Sequence, residues 1–171
     1  MYHIAITGHR PKDLGGLNQG AVRAITFDML DRAEARAGGN DICIHTGGAL
    51  GIDTWVALTV QNSPYYGLSV KHTLHLPFTP DIMTTKWTQM QTNDLMLTMK
   101  QASALCTKCP HPTYDPAFYQ RRNEHMVDES NVLVAYWTGK RNGGTWNCIA
   151  YAIQKNVPVY NALDSMEKVR L

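Results

Sequence analysis

The chain has 171 residues, of which 44% are hydrophobic and 18% are charged, and this length favours one globular domain over residues 1–171. The net charge of +2 is spread thinly along the chain, which disfavours a protein that binds a polyanion through a continuous basic stripe. No run approaches the roughly 20 apolar residues of a membrane helix, and residues 1–10 lead into a strand pattern instead of a signal peptide, so we expect a cytoplasmic protein.

Short apolar runs rich in β-branched residues alternate with segments of helical period, as is typical of parallel βαβ units. In chain order, the pattern predicts a strand at 3–8, a helix that carries Val22 to Ala33 and ends at Gly38-Gly39, a strand at 41–48, a helix that carries Ile52 to Val60, a strand at 70–78, a helix at 84–99, a strand at 102–106, a helix that carries 119–130, a strand at 131–137, a helix from the turn at 143–145 to about Lys155, and a last strand at 157–161. We therefore predict a doubly wound, Rossmann-like three-layer α/β fold with a mainly parallel sheet.

Three glycine-containing loops follow predicted strands, at TGHRP (7–11), TGGALGID (46–53) and RNGGT (141–145). Open parallel sheets bind ligands at the carboxyl ends of their strands, where loops and helix N-termini present free N–H groups. The second loop is neither a P-loop, since no Lys-Ser/Thr follows its glycines, nor a dinucleotide fingerprint. We expect the three loops to form an anion site, with His9 as the one histidine placed to contact a ligand.

The helix over 119–130 contributes polar residues to the same edge. A helix that precedes a parallel strand runs back across the sheet, so Tyr119, Arg122 and Asn123 are expected at the ligand edge, and Asp128 at the opposite one. Arg122 or its neighbour Arg121 is suited to bind a phosphate through a guanidinium fork. The basic pair at 140–141 is likewise suited to a phosphate-sized anion.

The pattern Cys106-Thr-Lys-Cys109, followed by His111, raises the question of a metal. The sequence has no second CxxC and no histidine pair at ligand spacing, and in an extended segment the two sulfurs would point to opposite faces. We therefore predict no metal site and no cofactor. All four cysteines, which include Cys43 and Cys148, are expected to be reduced.

The ordered set TGHRP, GGALGIDTW, RRNEHMVDES and GGTWNCIAYA resembles the SLOG superfamily of Rossmann-like nucleotide-binding proteins, which joins SMF/DprA and LOG-like proteins. The likeness is nearest to the YpsA-like branch, which includes bacterial and phage members. The resemblance implies a nucleotide-like ligand with its phosphate at the Gly143-Gly144-Thr145 turn, and a homo-oligomer. We expect Trp87 and Trp137 to be exposed, which makes them candidate interface residues. The residues that it places at the ligand are Gly8, Arg10, Gly47, Gly48, Asp53, Arg122 and Asn123.

The sequence departs from the resemblance at the catalytic position. LOG-type hydrolases have a glutamate three residues after the threonine of the glycine turn, and this chain has Cys148 there. A neutral thiol cannot supply the negative charge that stabilises an oxocarbenium-like state, although Cys148 as a thiolate and Glu124 as a replacement carboxylate are candidates.

Three functions are left open by these residues. The favoured one is a sensor or sequestering protein that binds a nucleotide or an ADP-ribose-type signal. The alternatives are an N-glycosidase or phosphoribohydrolase acting on nucleoside monophosphates, and a DprA-like protein that binds single-stranded DNA.

Overall fold

The computed structural model describes residues 1–62 and 69–170. Its strands form one sheet in the order β4-β3-β2-β1-β5-β6-β7, in which every neighbouring pair is parallel except β6 and β7. The strands are β1 (Tyr2–Gly8), β2 (Ile42–Thr46), β3 (Val70–Leu74), β4 (Ala104–Leu105), β5 (Val132–Tyr136), β6 (Val159–Asn161) and β7 (Glu167–Lys168). The predicted α/β fold with a mainly parallel sheet is confirmed.

Within the described residues, six α-helices connect the strands: α1 (Gln19–Ala37), α2 (Ile52–Asn62), α3 (Pro80–Met83), α4 (Gln89–Gln101), α5 (Ala117–Asp128) and α6 (Gly143–Gln154). The helix α1 begins where the Asn18 side chain accepts a hydrogen bond from the Ala21 N–H, at 3.0 Å. It ends where Gly38 adopts a left-handed backbone, with φ +58°, which glycine tolerates best. No helix in these described ranges is long and apolar enough to cross a membrane.

The side chains of the central strands alternate between two helical layers. Ile4 and Ile6 of β1 belong to the core formed with α1 and α2, whereas Ala5 between them belongs to the core formed with α5 and α6. Since both faces are covered, β2 and β5 are buried along their whole length. This three-layer arrangement leaves the carboxyl ends of the strands free to present their loops along one edge.

The structure differs from the sequence prediction at four elements, one of which is the strand expected over 70–78, which ends at Leu74. The helix expected over 84–99 begins only at Gln89, because Thr88 and Gln91 form a reciprocal capping box there, and Pro80 starts the separate short helix α3. The strand expected over 102–106 has only two residues, and 157–161 is not the last strand, since β7 follows it antiparallel. The side chains of Trp87 and Trp137 are half-buried against the core instead of exposed.

Candidate functional site

A cleft of about 540 Å³ opens at the carboxyl edge of the sheet, between the loops that follow β1, β2 and β5 and the start of α5. The position is the one at which open α/β sheets bind ligands, where the chain crosses to opposite sides of neighbouring strands. Nine of the sequence-predicted ligand residues line it, namely Gly8, His9, Arg10, Asp53, Arg122, Asn123, Gly143, Gly144 and Thr145.

The first turn of α6 forms one wall of the cleft. Gly143 and Gly144 are exposed and have no atom within 4 Å of the position that a Cβ would occupy, so the backbone is open to a ligand. The N-cap residue Asn142 makes no side-chain hydrogen bond to the turn. Uncapped N–H groups together with the positive end of the helix dipole favour an anion at this wall.

The loop after β1 supplies the cationic side of the cleft. Arg10 and Lys12 are exposed there, and Lys140, which follows β5, lies 4.0 Å from the carboxylate of Asp13. His9 Nε2 lies 3.1 Å from Thr138 Oγ1, and burial lowers the pKa of this imidazole below its ordinary 6.5. At neutral pH the positive charge of the site therefore comes mainly from lysine and arginine.

The loop after β2 is held by Asp53 from the first turn of α2. Asp53 Oδ2 accepts hydrogen bonds from the N–H groups of Gly47, at 3.0 Å, and Ala49, at 3.3 Å, and lies 3.8 Å from Arg122 Nη1. Burial raises the pKa of Asp53, whereas the Arg122 guanidinium and the two amides act in the opposite direction. These contacts make Asp53 primarily an anchor for the loop.

Two predicted ligand residues, Gly47 and Gly48, are not brought to the cleft lining. The guanidinium of Arg122 occupies the space beside Gly47 and donates a hydrogen bond to its carbonyl oxygen. A Cβ at Gly48 would lie 2.6 Å from Leu76 Cδ2, and its φ of +69° favours glycine. Both glycines therefore allow close packing beneath the loop.

The buried side chain of Arg122 joins α5 to the ends of two strands. Besides Gly47, its Nη1 donates to the carbonyl oxygen of His75, at 3.3 Å, and its Nε donates to Asn123 Oδ1, at 2.9 Å. Arg121 instead lies over the Phe118 ring, with 5.1 Å between its Cζ and the ring centroid, and does not line the cleft. Of the two arginines considered for the phosphate, only Arg122 lies at the site.

The two candidate catalytic side chains lie outside the cleft lining. Cys148 is buried in the core with α5, and burial raises the pKa of its thiol to about 12, which disfavours a thiolate nucleophile. Glu124 Oε1 accepts a hydrogen bond from Gln120 Nε2, at 3.0 Å. At the far end of the same helix, Asp128 accepts from the Tyr151 hydroxyl group, as expected for a residue of the opposite edge.

Five residues of the lining were not singled out in the sequence, and one of them is Pro116, which directly precedes α5. Lys12 and Asp13 form part of a single 3₁₀ turn after the first glycine loop, while Gln120 and Asn147 belong to α5 and α6. The two helical residues could have been predicted from their spacing. Asn147 is the fourth residue after Gly143 and so lies on the same side of the helix, and Gln120 lies beside Tyr119. The 3₁₀ turn has no comparable periodicity.

Cys106 and Cys109 do not lie in an extended segment. The strand β4 ends at Leu105, and the chain then bends, so that the two sulfurs lie 3.4 Å apart on the same side. The extended conformation in which their side chains would point to opposite faces is therefore not the one observed.

The fold and the cleft together define a Rossmann-like α/β protein with a cleft at the carboxyl edge of its sheet. Residues 4–161 match the model of the YspA SLOG family (YpsA), and the chain therefore belongs to that family. A curated relative is the uncharacterized SPbeta prophage-derived protein YoqJ of Bacillus subtilis (strain 168), with 46% identity over 39 residues, or 23% of this chain and 22% of YoqJ.

Two solved structures have a similar fold. The DNA processing protein A (DprA) from Streptococcus pneumoniae aligns with a TM-score of 0.61 and 15% identity, over 96% of this chain and 53% of that protein. The DNA processing protein A from Helicobacter pylori, solved with attention to its single-stranded DNA binding mode, aligns with a TM-score of 0.59 and 17% identity, over 94% of this chain and 64% of that one. The chain thus spans less than two thirds of each of these proteins.

Proposed function

We propose that the cleft binds a nucleotide or a nucleotide-derived ligand, such as an ADP-ribose derivative, and that the protein acts as a sensor or a sequestering protein. The observation that carries this proposal is the convergence of the uncapped α6 N-terminus with Arg10, Lys12 and Lys140 around one cleft. Backbone N–H groups at helix N-termini and the cationic side chains of lysine and arginine are common phosphate-binding groups in proteins.

The size and the remaining walls of the cleft also support a nucleotide. A volume of about 540 Å³ falls within the range of small-molecule sites. Tyr119 lines the cleft and packs edge-on against Phe78, with ring centroids 5.1 Å apart, so that its aromatic ring is held in place. This ring and the neighbouring Pro116 provide an apolar surface suited to a base, while Asn123 and Asn147 offer groups for hydrogen bonds to a sugar or base.

The carboxylates at the cleft favour binding over cleavage. Within the described ranges, those of the lining are Asp13, which faces Lys140, and Asp53, which is engaged by two amides and Arg122. A glycosidic cleavage would need a carboxylate beside the sugar to stabilise or trap the oxocarbenium-like state. We therefore propose ligand recognition, and not hydrolysis, as the function of this site.

Calorimetry of the full chain with AMP, ADP, cyclic AMP, ADP-ribose and adenosine tests the proposal. We expect phosphate-bearing ligands to bind below millimolar Kd and adenosine to bind at least tenfold more weakly. Gly144→Asp places a negative charge where the structure has open space, and should weaken phosphate binding at least tenfold, whereas Gly144→Ala should leave it within about twofold. Lys86→Gln, at an exposed lysine outside the cleft lining, is the charge control.

Two outcomes of that experiment would contradict the proposal. The first is that no ligand of the panel binds below millimolar Kd. The second is that the protein releases a free base from one of these ligands, as detected by chromatography. If the Asp13→Asn protein no longer released the base, the hydrolysis would be assigned to the cleft. Equal affinity of the Gly144→Asp and Gly144→Ala proteins for the phosphate-bearing ligands would mean that the phosphate does not bind at the N-terminus of α6.

Single-stranded DNA is a second candidate, favoured by an aromatic platform beside the glycine turn. The rings of Trp137 and Trp146 stack with centroids 5.5 Å apart, and Arg141 Cζ lies 5.3 Å from the centroid of the Trp146 ring. Bases stack on such surfaces, and the protein from Helicobacter pylori binds single-stranded DNA. Fluorescence anisotropy with a labelled oligothymidine tests it: binding that weakens with salt and is lost in Trp146→Ala supports DNA, and an unchanged anisotropy rejects it.

A further inference from the structure

We propose that His75, Cys106, Cys109 and His125 form a zinc site, called here the Cys2His2 cluster. One ligand atom from each of these four side chains lies within 4.8 Å of the other three. The residues come from separate elements: His75 follows β3 directly, the two cysteines follow β4, and His125 lies in the last turn of α5. The fold thus brings together a set of ligands that the sequence keeps far apart.

The measured distances fit a tetrahedral ion. With Zn–S bonds of about 2.3 Å and Zn–N bonds of about 2.0 Å, tetrahedral angles require an S···S distance of about 3.8 Å and an S···N distance of about 3.6 Å. Cys106 Sγ and Cys109 Sγ are 3.4 Å apart, and Cys109 Sγ lies 3.9 Å from His75 Nδ1. Shifts of a few tenths of an ångström are enough for both pairs. Two cysteines separated by two residues are also a common zinc-binding spacing.

A row of histidines orients His75 toward the cluster. His75 Nε2 lies 2.8 Å from His45 Nδ1, and His45 Nε2 lies 2.9 Å from His3 Nδ1. If each Nε2 carries the proton and donates to the next ring, both hydrogen bonds are satisfied and His75 Nδ1 keeps its lone pair for the metal. Metal-bound histidines generally donate their other N–H group to an outer partner in this way.

His125 has unused capacity to coordinate. Its Nε2 is buried and makes no hydrogen bond, although Glu129 Oε1 lies 3.1 Å away. A buried ring nitrogen that lacks a hydrogen bond needs an explanation, and coordination of a metal by this ring provides one. The Glu129 carboxylate lies close enough to His45 and His75 to act as a further outer partner of the bound ion.

A second group of candidate ligands fits a metal less well. His3, Cys43 and His45 also lie within ligand distance of one another, but they are three, and the facing nitrogens of the two histidines are used in their mutual hydrogen bond. The Cys2His2 cluster provides all four ligands from protein, which leaves no open position and indicates a structural site. Arg122 lies one turn before His125 on α5. A metal ion bound by the Cys2His2 cluster would therefore hold this helix in place at the cleft.

Metal analysis of the full chain tests this inference without any nucleotide. We expect about one zinc per chain after purification or after addition of Zn²⁺ under reducing conditions. Replacement by Co²⁺ should give the visible absorption of tetrahedral cobalt together with a thiolate charge-transfer band. The double variant Cys106→Ser/Cys109→Ser should lose both metals, whereas Cys43→Ala and His111→Gln should retain them.

The results that overturn the inference are equally defined. A reduced full chain that takes up neither Zn²⁺ nor Co²⁺ excludes the site, and metal that is lost in Cys43→Ala but kept in the double variant assigns it to the other group. Should the double variant not fold, the cobalt spectrum of the unsubstituted chain decides, because octahedral absorption without a thiolate band contradicts two cysteine ligands. Nucleotide affinity does not enter these measurements, so the two proposals fail independently.

Discussion

Replacement of Asp53 by asparagine is expected to lower the free energy of unfolding by about 3–5 kcal/mol, the range found when one partner of a buried ion pair is removed. Asparagine retains an oxygen for the two backbone amides that the carboxylate binds. What it loses is the negative charge 3.8 Å from Arg122 Nη1, in surroundings where each of the two side chains is less than a tenth exposed. The guanidinium would then be buried without a counter-ion.

Urea unfolding, followed by tryptophan fluorescence, measures this change. With an m-value of about 2 kcal/mol/M, the midpoint should fall by about 2 M. Asp13→Asn is the matched control, since its partner Lys140 is exposed and 4.0 Å away, and it should change stability by less than about 1 kcal/mol. Equal effects of Asp53→Asn and Asp13→Asn would refute the role of the buried pair.

The double variant Asp53→Asn/Arg122→Met sharpens the same test. Once the buried cation is replaced by an apolar side chain, the missing carboxylate should matter less, so the double variant should be at least about 1 kcal/mol more stable than the sum of the two single effects predicts. Strict additivity would mean that the two side chains stabilise the loop and the helix independently.

Three further predictions concern the floor of the cleft, acid stability and the core thiol. A Cβ at Gly8 would lie 2.5–2.7 Å from three atoms of Ile52, so Gly8→Ala should cost about 1–3 kcal/mol in urea unfolding and weaken nucleotide binding; unchanged values would contradict the close packing. Burial lowers the pKa of His72 from 6.5 to about 3, so the unfolded chain binds a proton first, and His72 alone should lower stability by roughly 1 kcal/mol per unit as pH drops from 6.5 toward 3. Burial lowers the pKa of His45 and of His75 in the same direction, so the slope of the whole chain should be steeper than this. His72→Gln should remove its own share of that slope in urea midpoints between pH 7 and 4.5, and an equal slope would count against it. Cys148→Ala should leave nucleotide affinity within about twofold while lowering stability by about 1 kcal/mol, whereas a large loss of affinity by calorimetry would return the thiol to the site.

The arrangement of the cleft was largely predictable because periodicity gives the order of strands and helices, and parallel strands place their loops on one edge. This rule assigned the loops that contain Arg10 and Gly143 to that edge, and the family resemblance then singled out the two residues. The position of a loop at this edge does not predict which of its glycines faces the cleft. Gly47 and Gly48 point into the protein because Arg122 and Leu76 pack against them, and those contacts arise from distant parts of the chain.

The Cys2His2 cluster lay beyond sequence reasoning for a different reason. Its spacing looks incomplete when the chain is read locally, since only the two cysteines are close in sequence. The strand β4, expected over 102–106, ends at Leu105, the chain bends after it, and the strand order brings His75 beside the two cysteines. Edge strands are too short and too dependent on their neighbours for their ends to be predicted from propensity.

The place of β1 in the sheet has a consequence for biosynthesis. The strand β1 pairs with β2 on one side but with β5 on the other, and the His3 N–H donates a hydrogen bond to the side chain of Asn131, 128 residues later in the chain. Such distant pairing closes slowly, because a long loop must be ordered before the contact forms. Until residues 132–136 emerge, β1 lacks its partner on the side where β5 pairs in the complete sheet. A chain truncated before these residues is therefore expected to aggregate through the unpaired edge of β1.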